Sequence, residues 1–279
     1  MLTFIQSCFA FSFVPKQWKE AILFVFFKGK GDPRKPTSYR AISLTSILAK
    51  IYEKILLNRL TTWFLSTRLS KLPQFGFRKS CSTLHAVFQL RTLIMHLMST
   101  TKAPVFVAFV DLQRAFPSVC RDSLFQRLLN MGAPKMLVAA IRAFYVANAA
   151  KLRVEDSLSV SFFVSLGVLE GSILSPALFG ILFSAIWEFI ATEAFPSIRR
   201  HVIRREGYFF ALFDIYLMSF LKDLLNIFSL LSFDNRLGIW FIAFADDLCV
   251  VALSPKCLEV ALNTLRERML EANLVMRCL

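Results

Sequence analysis

Two adjacent aspartates, Asp246 and Asp247, stand inside the otherwise apolar stretch FIAFADDLCV (241–250). A carboxylate in such surroundings is costly unless it neutralises, pairs with a cation or binds a metal, and two neighbours raise each other's pKa. A third aspartate, Asp111, closes another apolar run, APVFVAFVD. If the two stretches are neighbouring strands of one sheet, three carboxylates converge at one edge. Hard divalent cations, Mg²⁺ above all, are held by one or two carboxylates together with substrate phosphates. A pair of such ions about 4 Å apart activates one oxygen and stabilises the leaving oxygen of an in-line phosphoryl transfer. The same residues also have a plain reading, because aspartate is common where strands stop and in hairpin turns.

The elements that must position these carboxylates can be read from the flanking pattern. Residues 22–27 (ILFVFF) predict a short buried strand, followed by the polar Gly/Pro loop KGKGDPRKPTSYR. A helix is expected from about Ser46 to Phe64, with Ile47, Ile51, Ile55 and Leu56 on its apolar face. After the basic turn SKLPQFGFRKSC, Ser82 caps a helix to about Met98, and a strand ends on Asp111. Asp122 is placed to cap a short helix that Gly132 ends, and Pro134 starts the next. KLRV and VSFFVSLGV read as a hairpin, and Ser175–Pro176 open an apolar helix to about Ile190. A hairpin at 239–253 carries the double aspartate, and an amphipathic helix spans roughly 257–272. The order reads as an α+β fold. His85 and His96, eleven apart on one helix, are too far apart to share a metal and read as packing or surface residues.

Charge is unevenly shared along the 279 residues. Residues 1–110 carry 16 Lys/Arg against 3 Asp/Glu, whereas residues 111–279 carry 17 against 16. Nearly all of the net +14 therefore lies in the first two-fifths, which suits a polyanionic partner. Six scattered cysteines without a CxxC spacing argue against a zinc knuckle or a disulfide framework, and for an intracellular setting. The loop FKGKGDP does not fit a phosphate-binding G-x-x-x-x-G-K-[ST] loop. Mean hydropathy is high at +0.56, and residues 208–233 are long enough to span a bilayer. Asp214, Lys222 and Asp223 inside that run argue against insertion, so no stable membrane association is expected. The N-terminal MLTFIQSCFAFSFVP lacks the basic region and cleavage site of a signal peptide.

Five stretches, taken together and in order, resemble the reverse transcriptase domain of non-LTR (LINE-type) retrotransposons. FADD resembles the [FY]-x-D-D box, VAFVDLQRAFPSV the strand-borne Asp followed by Ala-Phe, and GVLEGSILSPALF the G-x-x-Q-G-x-x-L-S-P-x-L-F segment. QFGFRKSCST matches the Q-x-G-F-R…S-T box, and residues 15–60 look like the family's fingers region. The resemblance implies a right-hand polymerase with fingers at 1–100 and an antiparallel palm sheet flanked by helices at 101–279, the thumb missing. It implies an RNA-directed DNA polymerase, in which a primer 3′-hydroxyl attacks the α-phosphate of a dNTP on an RNA template.

By the same resemblance Asp111, Asp246 and Asp247 are the catalytic carboxylates and hold two Mg²⁺, or Mn²⁺ in their place, with Asp247 the weakest direct ligand. Lys28, Arg40, Phe116 and Gly171 fall at dNTP-binding positions, Phe116 lying under the sugar where its ring would exclude a 2′-hydroxyl. Gln74, Gly76, Arg78, Ser175 and Pro176 fall at positions that place template and primer. The expected location is the cytoplasm and nucleus. The chain departs from the pattern at Ala41, Pro117 and Glu170, and residues 196–238 form an atypical hydrophobic insertion. These departures keep two other readings open, a catalytically dead nucleic-acid-binding remnant and a small membrane protein.

Overall fold

The computed structural model describes residues 2–67, 70, 74–189, 239–271 and 274–278. The expected insertion at 196–238, with the apolar run 208–233, lies outside them. In chain order the elements are α1 (Leu2–Ala10), β1 (Glu20–Phe27), β2 (Tyr39–Leu44), α2 (Ile47–Leu65), α3 (Thr83–Thr101), β3 (Phe106–Gln113), α4 (Ala115–Ser118) and α5 (Arg121–Asn130). They continue with α6 (Lys135–Tyr145), β4 (Ala149–Val154), β5 (Ser157–Leu158), β6 (Phe162–Phe163), α7 (Ser175–Phe189), β7 (Ile239–Phe244), β8 (Asp247–Ala252), α8 (Pro255–Glu271) and β9 (Val275–Cys278). Among the described residues no helix is long and apolar enough to cross a membrane. The fold is the mixed α+β expected. It divides into two compact units, residues 1–66 with 116–182, and residues 67–115 with 183–279.

In the first unit β1 pairs antiparallel with β2 and parallel with β4, while β5 and β6 both pair antiparallel with β4. The apolar core gathers Trp18, Tyr52, Leu56, Leu60, Leu124, Ile141 and Phe144, with the Tyr52 ring 6.0 Å from Trp18 and 5.6 Å from Phe144. The buried face of α2 is Ala49, Tyr52, Glu53, Leu56 and Leu60. This corrects the expected face, because Ile47 and Ile51 are exposed and only Leu56 of the four named residues is fully buried. Asp122 lies in the first turn of α5, whose N-cap is Cys120, so it is not the cap. The strand β2 was not foreseen. Only Ser43 of its six residues is buried, so it shows neither alternation nor an apolar run.

The second unit is built on an all-antiparallel sheet in the order β7-β8-β3-β9. Trp240, Ile242, Cys249 and Val251 point to one face and pack with Phe75 and with Ala86, Leu93 and Leu97 of α3. Alternation sends Phe241, Leu248 and Val250 to the other face, and α8 packs on the sheet through Ala261, Leu265 and Met269. Ser82 caps α3 as expected, and His85 completes the box by accepting from the Ser82 N–H at 3.0 Å. Strand β3 runs two residues past Asp111 to Gln113, where β9 supplies a pairing partner.

Candidate active site

Within the second unit, β7 and β8 form a tight hairpin: Phe244 pairs with Asp247, leaving only Ala245 and Asp246 in the turn. Ala245 has a left-handed φ of +58°, a conformation that costs a residue with a Cβ about 1–2 kcal/mol. The β3–β8 register pairs Phe109 with Cys249 and Val110 with Leu248, and one residue further it brings Asp111 opposite Asp247. Asp246, Asp247 and Asp111 thus meet at one end of the sheet. Asp247 carries the electrostatic record of this, its pKa raised by burial first, then by Asp246 and by Asp111. Negative charge gathered at one strand end is what a divalent cation would offset, and such an ion would invert the local pKa logic. Among the described residues no three His, Cys, Asp or Glu side chains are gathered tightly enough to hold an ion by themselves.

What holds the turn is Gln74, only 2% exposed. Its Nε2 donates to the Ala245 carbonyl at 3.0 Å, and its Oε1 accepts from the N–H groups of Ala245 at 2.9 Å and Gly76 at 2.8 Å. The segment also closes the free edge of β7, since Phe75 N–H donates to the Ala243 carbonyl at 2.9 Å. Gly76 lies so close that a Cβ there would stand 2.0 Å from the Ala245 nitrogen. Arg78 turns its guanidinium to the Ser70 carbonyl at 2.7 Å, and burial lowers its pKa.

The other six expected site residues belong to the first unit. Lys28 donates from Nζ to the Thr37 carbonyl at 2.9 Å, which ties the two sides of the basic loop, and Arg40 is exposed on β2. The Phe116 ring stacks on Phe179, centroids 5.0 Å apart and 22° from parallel. Gly171 has φ +112°, and a Cβ there would lie 2.3 Å from the Ser43 carbonyl oxygen. The glycine is therefore required by the close passage of β2. Ser175 is fully buried at the start of α7, with Pro176 in its first turn.

Two buried charges support this turn and were not singled out from the sequence. Glu53, 3% exposed, accepts from the Ile173 N–H at 2.8 Å. Burial raises its pKa, and the Ile173 and Leu174 N–H groups and the Ser172 hydroxyl partly offset the rise. Arg121 donates to the carbonyls of Gly167 (2.7 Å), Val164 (2.6 Å), Leu166 (3.2 Å) and Tyr145 (3.3 Å) and to Asn148 Oδ1 (2.8 Å). It fixes the non-strand segment 164–167 that leads into the turn. Glu53 was within reach of sequence reasoning, since it falls on the buried face once that face is drawn through Tyr52 and Leu56. Arg121 gave no such signal.

Residues 28–204 match the family described as reverse transcriptase (RNA-dependent DNA polymerase). The chain is 32% identical over 169 residues to the probable RNA-directed DNA polymerase from transposon BS of Drosophila melanogaster, covering 61% of this chain and 18% of that protein. It is 29% identical over 172 residues to the RNA-directed DNA polymerase from mobile element jockey of the same fly, covering 62% and 19%. The chain thus matches about a fifth of the length of these relatives. Its fold is similar to that of Candida albicans telomerase, solved with a fragment of telomeric RNA, at a TM-score of 0.57 and 11% identity over 99% of this chain and 45% of that one. Apo telomerase from Candida tropicalis truncated of its C-terminal domain gives 0.54 and 12%, over 95% and 51%. The sequence boxes, the carboxylates at the end of an antiparallel sheet and the matched residues agree, and the chain belongs to the reverse transcriptase family, with non-LTR retrotransposon enzymes among its homologues.

Proposed function

We propose that this domain extends a primer 3′-end with dNTPs on an RNA template. The observation that carries the reading is the placing of Asp246 and Asp247 at the β7–β8 turn beside the end of β3 that bears Asp111, in a reverse transcriptase chain; the pKa of Asp247 is raised by burial first and then by the other two carboxylates. Asp111 and Asp246 would hold Mg²⁺ or Mn²⁺, with Asp247 contributing less directly. When bound, the ions supply positive charge to the attacking and leaving oxygens. Lys28 and Arg40, in a basic exposed region, neutralise the triphosphate. Phe116, backed by Phe179, presents a ring to the sugar and favours dNTPs over NTPs. Gly171 keeps the turn at 170–174 close to β2, and Ser175 and Pro176 fix where α7 begins, which together shape the template and incoming-base side. Arg78 and its basic neighbours take the template backbone. The fingers are residues 1–100 and the palm 101–279, and the protein works in the cytoplasm and nucleus.

The test is template-directed dNTP incorporation by the 279-residue chain on an annealed RNA template and DNA primer, with Mg²⁺, beside Asp246→Asn. Extension by the wild type alone supports the carboxylate assignment. No extension by a folded chain that binds the duplex with steep salt dependence, unaffected by Asp246→Asn, overturns the polymerase reading and leaves a nucleic-acid-binding remnant.

A further inference from the structure

We propose that Gln74 is the positioning residue of the carboxylate turn, setting where Asp246 and Asp247 stand, and that Gly76 is the cradle that lets it do so. The inference rests on the polymerase reading for its catalytic consequence, but its structural part is independent. A two-residue turn with a non-glycine residue at φ +58° does not hold that conformation by local preference. Here one primary amide satisfies both backbone groups of the strained residue, accepting from its N–H and donating to its carbonyl. The amide is itself fixed, because Oε1 also accepts from Gly76. A carboxylate side chain could not donate, an ammonium could not accept, and a shorter amide would not span the gap.

Geometry also limits what Gln74 does with nucleic acid. Its side chain is buried and both ends of its amide are engaged on protein backbone. The absence of a Cβ at Gly76 serves the same contact, since the nearest atoms to an added methyl are the N, Cα and Cβ of Ala245, at 2.0, 2.6 and 2.9 Å. The Q-x-G spacing therefore reads as a device that reaches 171 residues along the chain to the turn between the two strands. Loss of such a supporting contact costs on the order of 10–100-fold in metal affinity or activity in other metal sites.

The experiment compares wild type, Gln74→Ala, Gln74→Glu, Gln74→Ala with Ala245→Gly, and Asp246→Asn in three measurements. These are Mn²⁺ affinity by electron paramagnetic resonance, primer extension resolved into kcat and KM for template–primer, and peptide-level amide exchange. Gln74→Ala is expected to weaken Mn²⁺ binding and lower kcat about tenfold or more, with KM for template–primer unchanged. Exchange should rise over residues 240–250 and not in α8. Gln74→Glu, which keeps both accepted bonds and the volume, falls between and guards against a folding defect in the alanine variant. Ala245→Gly, which removes the left-handed penalty, restores part of the loss. Unchanged exchange at 240–250 in both Gln74 variants overturns the inference whatever the enzyme does. So does a rise in KM for template–primer with kcat and Mn²⁺ affinity intact, which would make Gln74 a template contact. If the wild type does not extend primers, the polymerase reading fails alone, and a drop in Mn²⁺ affinity with faster exchange in the variants still upholds the positioning role.

Discussion

Replacing Asp246 by Asn is expected to change stability in opposite directions with and without a divalent cation. Asp111 and Asp247 face each other one residue beyond the Val110–Leu248 pair, and opposed Cβ atoms on antiparallel strands are about 5 Å apart. At that distance two unit charges repel by roughly 1 kcal/mol in water and about 3 kcal/mol at an effective dielectric near 20. Asp247 is exposed, so the lower value governs and solvent screening reduces it further. Asp246 adds to the same load, so neutralising it should return about 0.5–1 kcal/mol to the cation-free chain, a midpoint rise of about 1–3 °C at this chain length. A divalent cation at 100 times its Kd would stabilise the wild type by about 2.7 kcal/mol, and the variant should lose most of that.

The sign with pH follows from the direction of the shift. The folded-state pKa of Asp247 is raised, so between the unfolded and folded values the folded chain binds more protons than the unfolded one. Its contribution to stability therefore falls as pH rises through that window. The advantage of Asp246→Asn in chelator should be full at pH 7 and gone below about pH 4, the unfolded carboxylate range. Thermal melts in EDTA and in Mn²⁺, at both pH values, decide the matter. A variant that melts below the wild type in EDTA at pH 7, with Mn²⁺ raising both equally, would refute the account of three converging carboxylates.

Gly171→Ala should lower stability by about 2–4 kcal/mol, because it combines a positive φ with a 2.3 Å approach to the Ser43 carbonyl; urea midpoints measure it. Glu53→Gln keeps an acceptor for the Ile173 N–H and removes a carboxylate whose pKa burial has raised. It should therefore match or exceed wild-type stability at pH 7, with the difference closing as pH falls to about 4, again by thermal melts. Arg121→Met leaves a set of buried carbonyls without a donor and should cost about 3 kcal/mol or more, and Arg121→Lys should recover little of it, because one ammonium cannot reproduce the planar fork.

The parts legible in the sequence were those in which one local signal sufficed. The FADD hairpin stood out because two charges interrupt two apolar runs, and α3 because Ser82 and the following periodicity mark its start. Strand β9, only four residues long, exists through its pairing with β3, so no window of its own sequence announces it. The face of α2 differs from the expected one because three isoleucines at helical spacing, Ile47, Ile51 and Ile55, mimic an apolar stripe, while the buried face runs through Ala49, Tyr52, Glu53, Leu56 and Leu60. What buries Tyr52 and Glu53 is α6 and the turn before α7, and both come from more than 80 residues further along the chain. The boxes around Gln74 and Gly171 were legible as boxes, yet their geometry was not. Both are places where backbone meets backbone, and a spacing in one dimension cannot say which distant strand passes by.

That difference bears on how the site is to be altered. At each turn a glycine lets another strand or turn approach within the space of a methyl group, Gly76 beside Ala245 and Gly171 beside Ser43. At each, a buried polar side chain from elsewhere in the chain then satisfies the exposed N–H groups, Gln74 in one and Glu53 in the other. An orphaned buried N–H costs about 1–3 kcal/mol, so neither glycine can be changed singly, nor either polar partner exchanged for a residue that offers no acceptor, without moving the turn. The two carboxylate-bearing strands, by contrast, are held by ordinary alternation over two apolar faces, where volume-conserving exchange costs less than about 1.5 kcal/mol. Variation in the apolar strands should therefore tune stability alone, while loss of Gly171 or of the Glu53 acceptor should displace the turn at 170–174, and loss of Gln74 or Gly76 the turn at 245–246.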